Sequence, residues 1–567
     1  MSSAPGITCK LSKYCVLLYA LLLMAVQTYA QESAASGHSI HLISNQTKYI
    51  AGDTIFLKAY FVDPQMKGVV GKHVMGVHLI DQQGASVLRT QFNVLAGVGI
   101  NQLILPDSLP PGFYNITAYM SPVEDRSNGY STAKTIAVVT ENQLGTNRPS
   151  TLAVNDPWVR ARAQAIISPV SKTLARRQNT TAEIEVRDGE GRPVKGEFSV
   201  SIYNRAVFGN LEDDRPQPET HTRPIDLTDP SAVAAFNGFQ KTGKVFDAVS
   251  GAVVVDNTQV LFYLQNTQWY HQTFTVNGSV RLNLPQFNGT DELFYLGETP
   301  RGKIINVRIE WMPTPLPAFH PAPSHTVTNA VDEYASFMKK ARHIQRSYHA
   351  FAARDSVVTA EAEPFEFELA EPDNIYYPDR YVNFKSMAEM ILEVIPGLYH
   401  RKHGASDMVR LNIADPITST TNPIYVIDGK VTANNAYFLS LSPANVEYLA
   451  LIKDPKKLLP LRVLGKNGIV IVKTKSGKFA PRNDDTSKIV EGVTPAIEFH
   501  HLNATSHPSV PIYRSTLYWN PSIRTDKDGK ATITFGTTDD VGEMIIEVQG
   551  ITSNGEPFRS SLPVHVR

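Results

Sequence analysis

From residue 39 to about 140, apolar and polar positions alternate in runs such as Ile55-Phe56-Leu57-Lys58-Ala59-Tyr60-Phe61. Turn signals interrupt them at Ala51-Gly52-Asp53, Asp81-Gln82-Gln83-Gly84 and Pro110-Pro111-Gly112. Short strands at this spacing predict an antiparallel β-sandwich of about 100 residues. A polar stretch from Glu141 to Pro157 reads as a linker, and strand patterning resumes at Ala163. It runs through the turn Asp188-Gly189-Glu190-Gly191-Arg192-Pro193-Val194 into Phe198-Ser199-Val200-Ser201-Ile202. Residues 209–235, rich in Asp, Pro and Thr, read as an exposed loop, and strand-like runs return from Gly243 to Leu282. Pro313 to Pro323 is dense in proline and reads as a stiff spacer. Beyond it Ala330, Tyr334, Phe337, Met338, Ala341, Ile344, Tyr348 and Phe351 recur at helical spacing, with Lys339, Lys340, Arg342 and Arg346 as a solvated face.

Between residues 381 and 477 the period changes. Phe384, Met387, Ala388, Ile391, Leu392 and Ile395 mark one face of a helix that Pro396-Gly397 ends. Ile424-Tyr425-Val426-Ile427 reads as a strand closed by an Asp428-Gly429 turn. Ser442-Pro443 offers an N-cap with proline at the first helical position before Val446 to Leu449. Leu449 to Lys453 and Ile469 to Lys473 read as further strands, the second preceded by Gly465-Lys466-Asn467-Gly468. The prediction is a mixed α+β unit. The tail returns to strands at Thr516 to Trp519, Ala531 to Phe535 and Met544 to Val548, as in a terminal β-sandwich.

Composition adds the class. The 567 residues are 42% apolar and 19% charged, with 54 basic side chains against 54 acidic ones, which is a globular and multidomain composition. No long basic block provides a nucleic-acid or anionic-membrane surface. The two cysteines, Cys9 and Cys15, lie in a stretch built like a signal peptide over residues 1–30: Lys10 and Lys13, an apolar run from Val16 to Val26, then Thr28-Tyr29-Ala30. The apolar run is short of the ~20 residues that span a bilayer. Cleavage after Ala30 leaves no cysteine, which excludes a disulfide scaffold, thiol catalysis and thioester chemistry. An exported chain without cysteine points to the bacterial envelope, in the periplasm or associated with the outer membrane.

Several blocks carry family resemblances. Tyr49, Gly52, Asp53, Gly97-Val98-Gly99, Leu105-Pro106 and Gly112-Phe113-Tyr114 resemble the macroglobulin-like domain of Gram-negative envelope proteins, over residues 31–145. Residues 158–238 and 490–567 resemble further macroglobulin-like sandwiches, and residues 240–313 resemble the carboxypeptidase-regulatory-like sandwich, with a helical linker at 325–355. Residues 365–478 look like the plug domain of TonB-dependent outer-membrane receptors. That resemblance rests on the helix with Pro396-Gly397, Tyr425-Val426-Ile427-Asp428-Gly429, Ser442-Pro443-Ala444-Asn445-Val446-Glu447, Lys453-Asp454-Pro455 and Gly468 to Lys475. The residues after Lys475 suffice for at most about seven membrane strands, so the receptors' barrel is not expected after this plug-like segment. The expected fold is mainly β: tandem macroglobulin-like or immunoglobulin-like sandwiches with one α+β plug-like domain. The whole order resembles barrel-less envelope proteins of bacteroidete type.

Phosphate-binding glycine loops, His-Glu-x-x-His and Gly-x-Ser-x-Gly do not occur. His500-His501 with His507 is the densest imidazole cluster, but neighbouring side chains on a strand diverge. Glu212-Asp213-Asp214 lacks the alternating ligands of a calcium loop. No cofactor or metal is expected. The resemblance makes Tyr425, Asp428, Gly429, Lys453, Asn467 and Gly468 the candidate contact and turn residues, with Asp428 expected to cap its own turn. The expected function is a non-enzymatic scaffold or adaptor at the outer membrane, linked to TonB-dependent uptake, with a barrel or lipoprotein as partner. The alternative is a non-covalent protease inhibitor, or an envelope hydrolase with a dispersed site.

Overall fold

The protein is described from a computed structural model, which covers residues 38–120, 131–139, 162–205, 239–248, 250–313, 319–322, 329–348, 370–381, 383–403, 406–413, 422–461, 464–478, 487–502, 504 and 511–567. The signal-like segment, the 209–235 loop, Glu212-Asp213-Asp214, Phe351 and His507 lie outside the described residues. The fold is mainly β, in tandem sandwiches, and divides into two compact units.

The first unit begins with β1 (Ser39–Ser44), β2 (Lys48–Ile50), β3 (Thr54–Val62), β4 (Lys72–Ile80), β5 (Ser86–Leu95), β6 (Val98–Ile104), β7 (Gly112–Met120) and β8 (Ser131–Val139). They pair in the order β1-β3-β6-β5-β4-β7-β8-β2 over a core holding Ile55, Leu57, Phe61, Met75, Phe92 and Ile116. In β3 every second residue enters that core, as the alternation predicts. The intervening Phe56, Tyr60 and Val62 are buried too, against Trp519 and Ile551 of a second sandwich. That second sandwich starts with β9 (Gln164–Pro169), β10 (Thr173–Leu174), β11 (Asn179–Arg187) and β12 (Gly196–Asn204), whose partners arrive only at the end of the chain.

The second unit contains β13 (Phe239–Asp247), β14 (Gln259–Leu264), β15 (Tyr270–Phe274), β16 (Ser279–Leu284), β17 (Thr290–Glu298), β18 (Ile304–Ile305) and β19 (Val307–Trp311). Two sheets, β16-β13-β19 and β15-β14-β17-β18, enclose Val245, Phe262, Leu282, Leu293 and Tyr295. The chain then returns to the first unit. Phe319, His320, Pro321 and Ala322, expected in a spacer, are docked on the first sandwich: Asn115 Nδ2 donates to the Pro321 carbonyl at 3.2 Å, and Phe319 packs at a tilt on His78, ring centres 4.8 Å apart. Helix α1 (Asn329–Tyr348) packs through the apolar stripe that its spacing predicts. Tyr334 and Ala335 fill a cluster with Ile50, Val139, Tyr203 and Ile545 from both sandwiches. Arg342 is not solvated as expected: its guanidinium meets Asp53 Oδ1 at 3.0 Å.

The α+β part of the second unit runs through β20 (Asn374–Tyr376), α2 (Met387–Val394), β21 (Leu398–His403), β22 (Ser406–Leu411), β23 (Ile424–Ile427), β24 (Lys430–Thr432), α3 (Asn435–Ser440), β25 (Val446–Ile452), α4 (Pro455–Leu458) and β26 (Ile469–Thr474). The sheet order is β20-β25-β26-β23-β24, with β21 and β22 as a separate hairpin. Ser386 caps α2 by accepting from the Glu389 amide at 3.2 Å. The buried stripe of α2 is Met387, Met390 and Ile391, whereas Leu392, assigned to it from spacing, is 84% exposed. Ser442 caps no helix with its side chain: Pro443–Asn445 makes a single 3-10 turn and the strand starts at Val446.

Two boundaries change. Residues 365–478 do not close a core of their own, because Leu261, Tyr263, Phe294, Leu296 and Ile304 of the neighbouring sandwich belong to the same hydrophobic cluster as Ile391, Tyr425, Leu451 and Val470. After this insertion β27 (Ser487–Glu491) pairs with β17 and completes the 239–311 sandwich. Then β28 (Thr516–Arg524), β29 (Lys530–Gly536), β30 (Gly542–Thr552) and β31 (Pro557–Val566) complete the second sandwich of the first unit, in sheets β10-β31-β30-β12-β28 and β29-β11-β9. The segments 158–238 and 490–567, expected as two sandwiches, therefore share one core containing Ile184, Phe198, Phe535 and Ile546. Neither half has the strands to cover its own apolar face.

Candidate functional site

Five of the six candidate residues are consumed by the architecture. Tyr425 is fully buried, stacks on Phe438 with ring centres 4.3 Å apart and donates to Asn435 Oδ1 at 2.5 Å. Burial pushes its phenol well above the ordinary value. Asp428 and Gly429 have positive φ, 48° and 82°, and form the two-residue turn between β23 and β24. Asp428 does not cap that turn. Its carboxylate accepts from the Thr474 amide at 2.7 Å and the Thr474 hydroxyl at 2.5 Å, tying the hairpin to β26. Asn467 is buried, its side-chain amide donating to the Asn422 carbonyl at 3.3 Å. At Gly468, where φ is 80°, a Cβ would lie 2.5 Å from Leu411 Cδ2.

Lys453 is placed differently. It borders a groove of ≈ 620 Å³ together with Pro396, Gly397, Tyr399, Asn412 and Asp454. The groove floor is fixed by Asp373. Burial pushes the Asp373 carboxyl up, but the Lys457 ammonium at 2.6 Å and the Lys453 and Asp454 amides at 2.6 and 2.8 Å outweigh it and hold it below its ordinary value. Tyr399 and Asn412 also border a concavity of ≈ 370 Å³ on the β21-β22 hairpin, with Arg401, Met408, Arg410 and Leu411.

The hairpin orients these side chains by its period of two. Leu398, Val409 and Leu411 point into the core, and His400 meets Asp407 at 2.8 Å. Tyr399, 56% exposed, and the exposed Arg401 and Arg410 take the opposite face. Sequence reading passed over this segment. Its signal was the alternation in Leu398-Tyr399-His400-Arg401, with a tyrosine and an arginine at the outward positions.

His78 Nδ1 lies 2.7 Å from Ser86 Oγ, and Nε2 lies 3.2 Å from the Tyr119 hydroxyl. Burial, reinforced by Arg89, lowers the His78 pKa to about 4, so the ring is neutral at pH 7 and a poor base for that serine. His501 packs on Tyr518 at 4.6 Å. Among the described residues no three His, Cys, Asp or Glu side chains come together to hold a metal ion, and no helix is long and apolar enough to cross a membrane.

No family model matches the chain. Over 77 residues it is 30% identical to "TonB-dependent receptor P26" of Formosa agariphila, a match covering 14% of this chain and 8% of that receptor. Among solved structures, the native conformation of Escherichia coli alpha-2-macroglobulin aligns with 94% of this chain and 40% of its own length, at 9% identity and a TM-score of 0.25. Salmonella alpha-2-macroglobulin reacted with methylamine gives the same coverage, identity and score. The chain thus spans less than a tenth of the receptor and about two fifths of the macroglobulins, and scores of this size define no common fold.

Proposed function

We propose that the chain is a non-enzymatic exported scaffold of the periplasm or outer membrane, whose α+β part docks a partner protein such as a barrel or lipoprotein. The observation that carries this reading is the outward face of the β21-β22 hairpin with its adjoining groove. Tyr399, Arg401 and Arg410 are presented there on a hairpin whose other face packs Leu398, Val409 and Leu411 into the core, and Lys453 borders the groove from the loop after β25. The short match to a TonB-dependent receptor supports a link to receptor-mediated uptake.

The test uses a point variant, because deleting residues 381–477 would uncover Leu261, Tyr263 and Phe294 and damage the sandwich itself. The tagged full chain is recovered from gently solubilised outer membranes, as wild type and as Tyr399→Ala. A defined barrel or lipoprotein that co-purifies with wild type and is lost with the variant is the expected result. Recovery of wild type as a free protein overturns the reading.

A further inference from the structure

Arg401 and Arg410 stand on the same face of the hairpin. Tyr399 pairs with Arg410, and Arg401 with Met408, so the two guanidinium-bearing residues are diagonal neighbours, about 7 Å apart along the sheet. The hairpin's own acid, Asp407, is turned to the other face by its contact with His400. The concavity above the arginines shares Tyr399 and Asn412 with the groove that leads to Lys453. The hairpin concavity therefore carries two arginines beside one exposed aromatic ring, whereas the adjoining groove sets Lys453 beside the acids Asp373 and Asp454.

Resting on the docking role above, we propose that the hairpin concavity receives an acidic segment of a partner polypeptide, its carboxylates held by Arg401 and Arg410. Guanidinium groups bind carboxylates through paired N–H donors, so charge and geometry are both matched. The exposed Asn412 side chain offers the donor and acceptor that complement a peptide group. Tyr399 and Met408 provide apolar contact beside the charges. The opening lies over side chains on the face of the hairpin and not along a strand edge, so recognition runs through side chains and not through an added strand.

Binding of a fluorescent peptide of alternating Glu and Leu to the purified full chain tests this by anisotropy, beside its Gln-for-Glu counterpart and beside polygalacturonate as a competitor. The expected result is saturable binding of the Glu peptide that weakens roughly tenfold or more with the Gln peptide and with R401Q/R410Q. It also falls with added salt, at an unchanged melting temperature. Equal binding of the two peptides, or of wild type and R401Q/R410Q, overturns the proposal. So does polygalacturonate binding more tightly than the Glu peptide with the same arginine dependence, which assigns the concavity to acidic glycans. A partner lost with Tyr399→Ala but retained by R401Q/R410Q leaves the docking role standing and removes only the acidic segment.

Discussion

Lys58 is the residue where the first two sandwiches commit to each other. Its side chain is fully buried, with the ammonium 3.4 Å from Glu197 and 4.5 Å from the centre of the Tyr60 ring. The Tyr60 hydroxyl donates to the Glu197 carbonyl at 3.0 Å, and Arg524 Nε donates to the Glu197 carboxylate at 3.0 Å. Burial lowers the Lys58 pKa to about 8, with Glu197 working against that shift. The folded value lies below the unfolded one, near 10.4. Unfolding therefore takes up a proton between those values, and stability rises with pH across about 8 to 10.4 relative to a variant without the lysine. Urea denaturation of wild type and Lys58→Met over that range should show the wild type gaining; parallel profiles would refute the shift. At pH 7 Lys58→Met should cost little, whereas Glu197→Gln, which strands the buried ammonium, should cost about 3 kcal/mol.

At the scale of elements, the edge of the plug-like sheet is finished by one side chain. Gln265, the buried residue that follows β14, donates from Nε2 to the Val431 carbonyl at 2.7 Å and accepts from the Val431 amide at 3.0 Å. An amide so placed satisfies both backbone groups that a neighbouring strand would have paired. Gln265→Leu keeps the volume and removes both bonds, so a loss of about 2–3 kcal/mol is expected, read from the shift in denaturation midpoint. A shift as small as that of an exposed substitution would mean that water replaces the amide. The Asp428–Thr474 contacts serve the same end at the other side of that hairpin, which is why a residue marked by its turn signal is structural here.

The whole molecule is built from interrupted sandwiches. Four of the eight strands of the second sandwich lie beyond residue 515, and β12 has β28 and β30 as its neighbours. A chain ending at residue 510 should therefore expose residues 162–205 to limited proteolysis while residues 239–313 and 370–478 stay protected. Protection of both regions would show that the first half of that sandwich stands without the second. Continuity in sequence is thus a poor guide to cooperative units in this chain, and truncations at its apparent boundaries remove halves of cores.

Period-two alternation, turn glycines and the switch to helical spacing near residue 384 were legible because they depend on local backbone geometry and on which face is apolar. They gave the mainly β class, the helix at 387–394 and the strands Ile424–Ile427 and Ile469–Thr474. What pairs with what was not legible, since hydrogen bonds between β11 and β29 join residues some 350 positions apart and leave no periodic mark. The same limit applied to the candidate site. Tyr425, Asp428 and Gly468 stand out locally because they solve local problems of packing and turning, whereas Tyr399, Arg410 and Lys453 become one surface only when the fold lays the hairpin beside the loop after β25. Sequence by itself determined the elements and their apolar faces; tertiary structure alone decided the partners, because burial rewards any complementary apolar face and only the completed fold selects one.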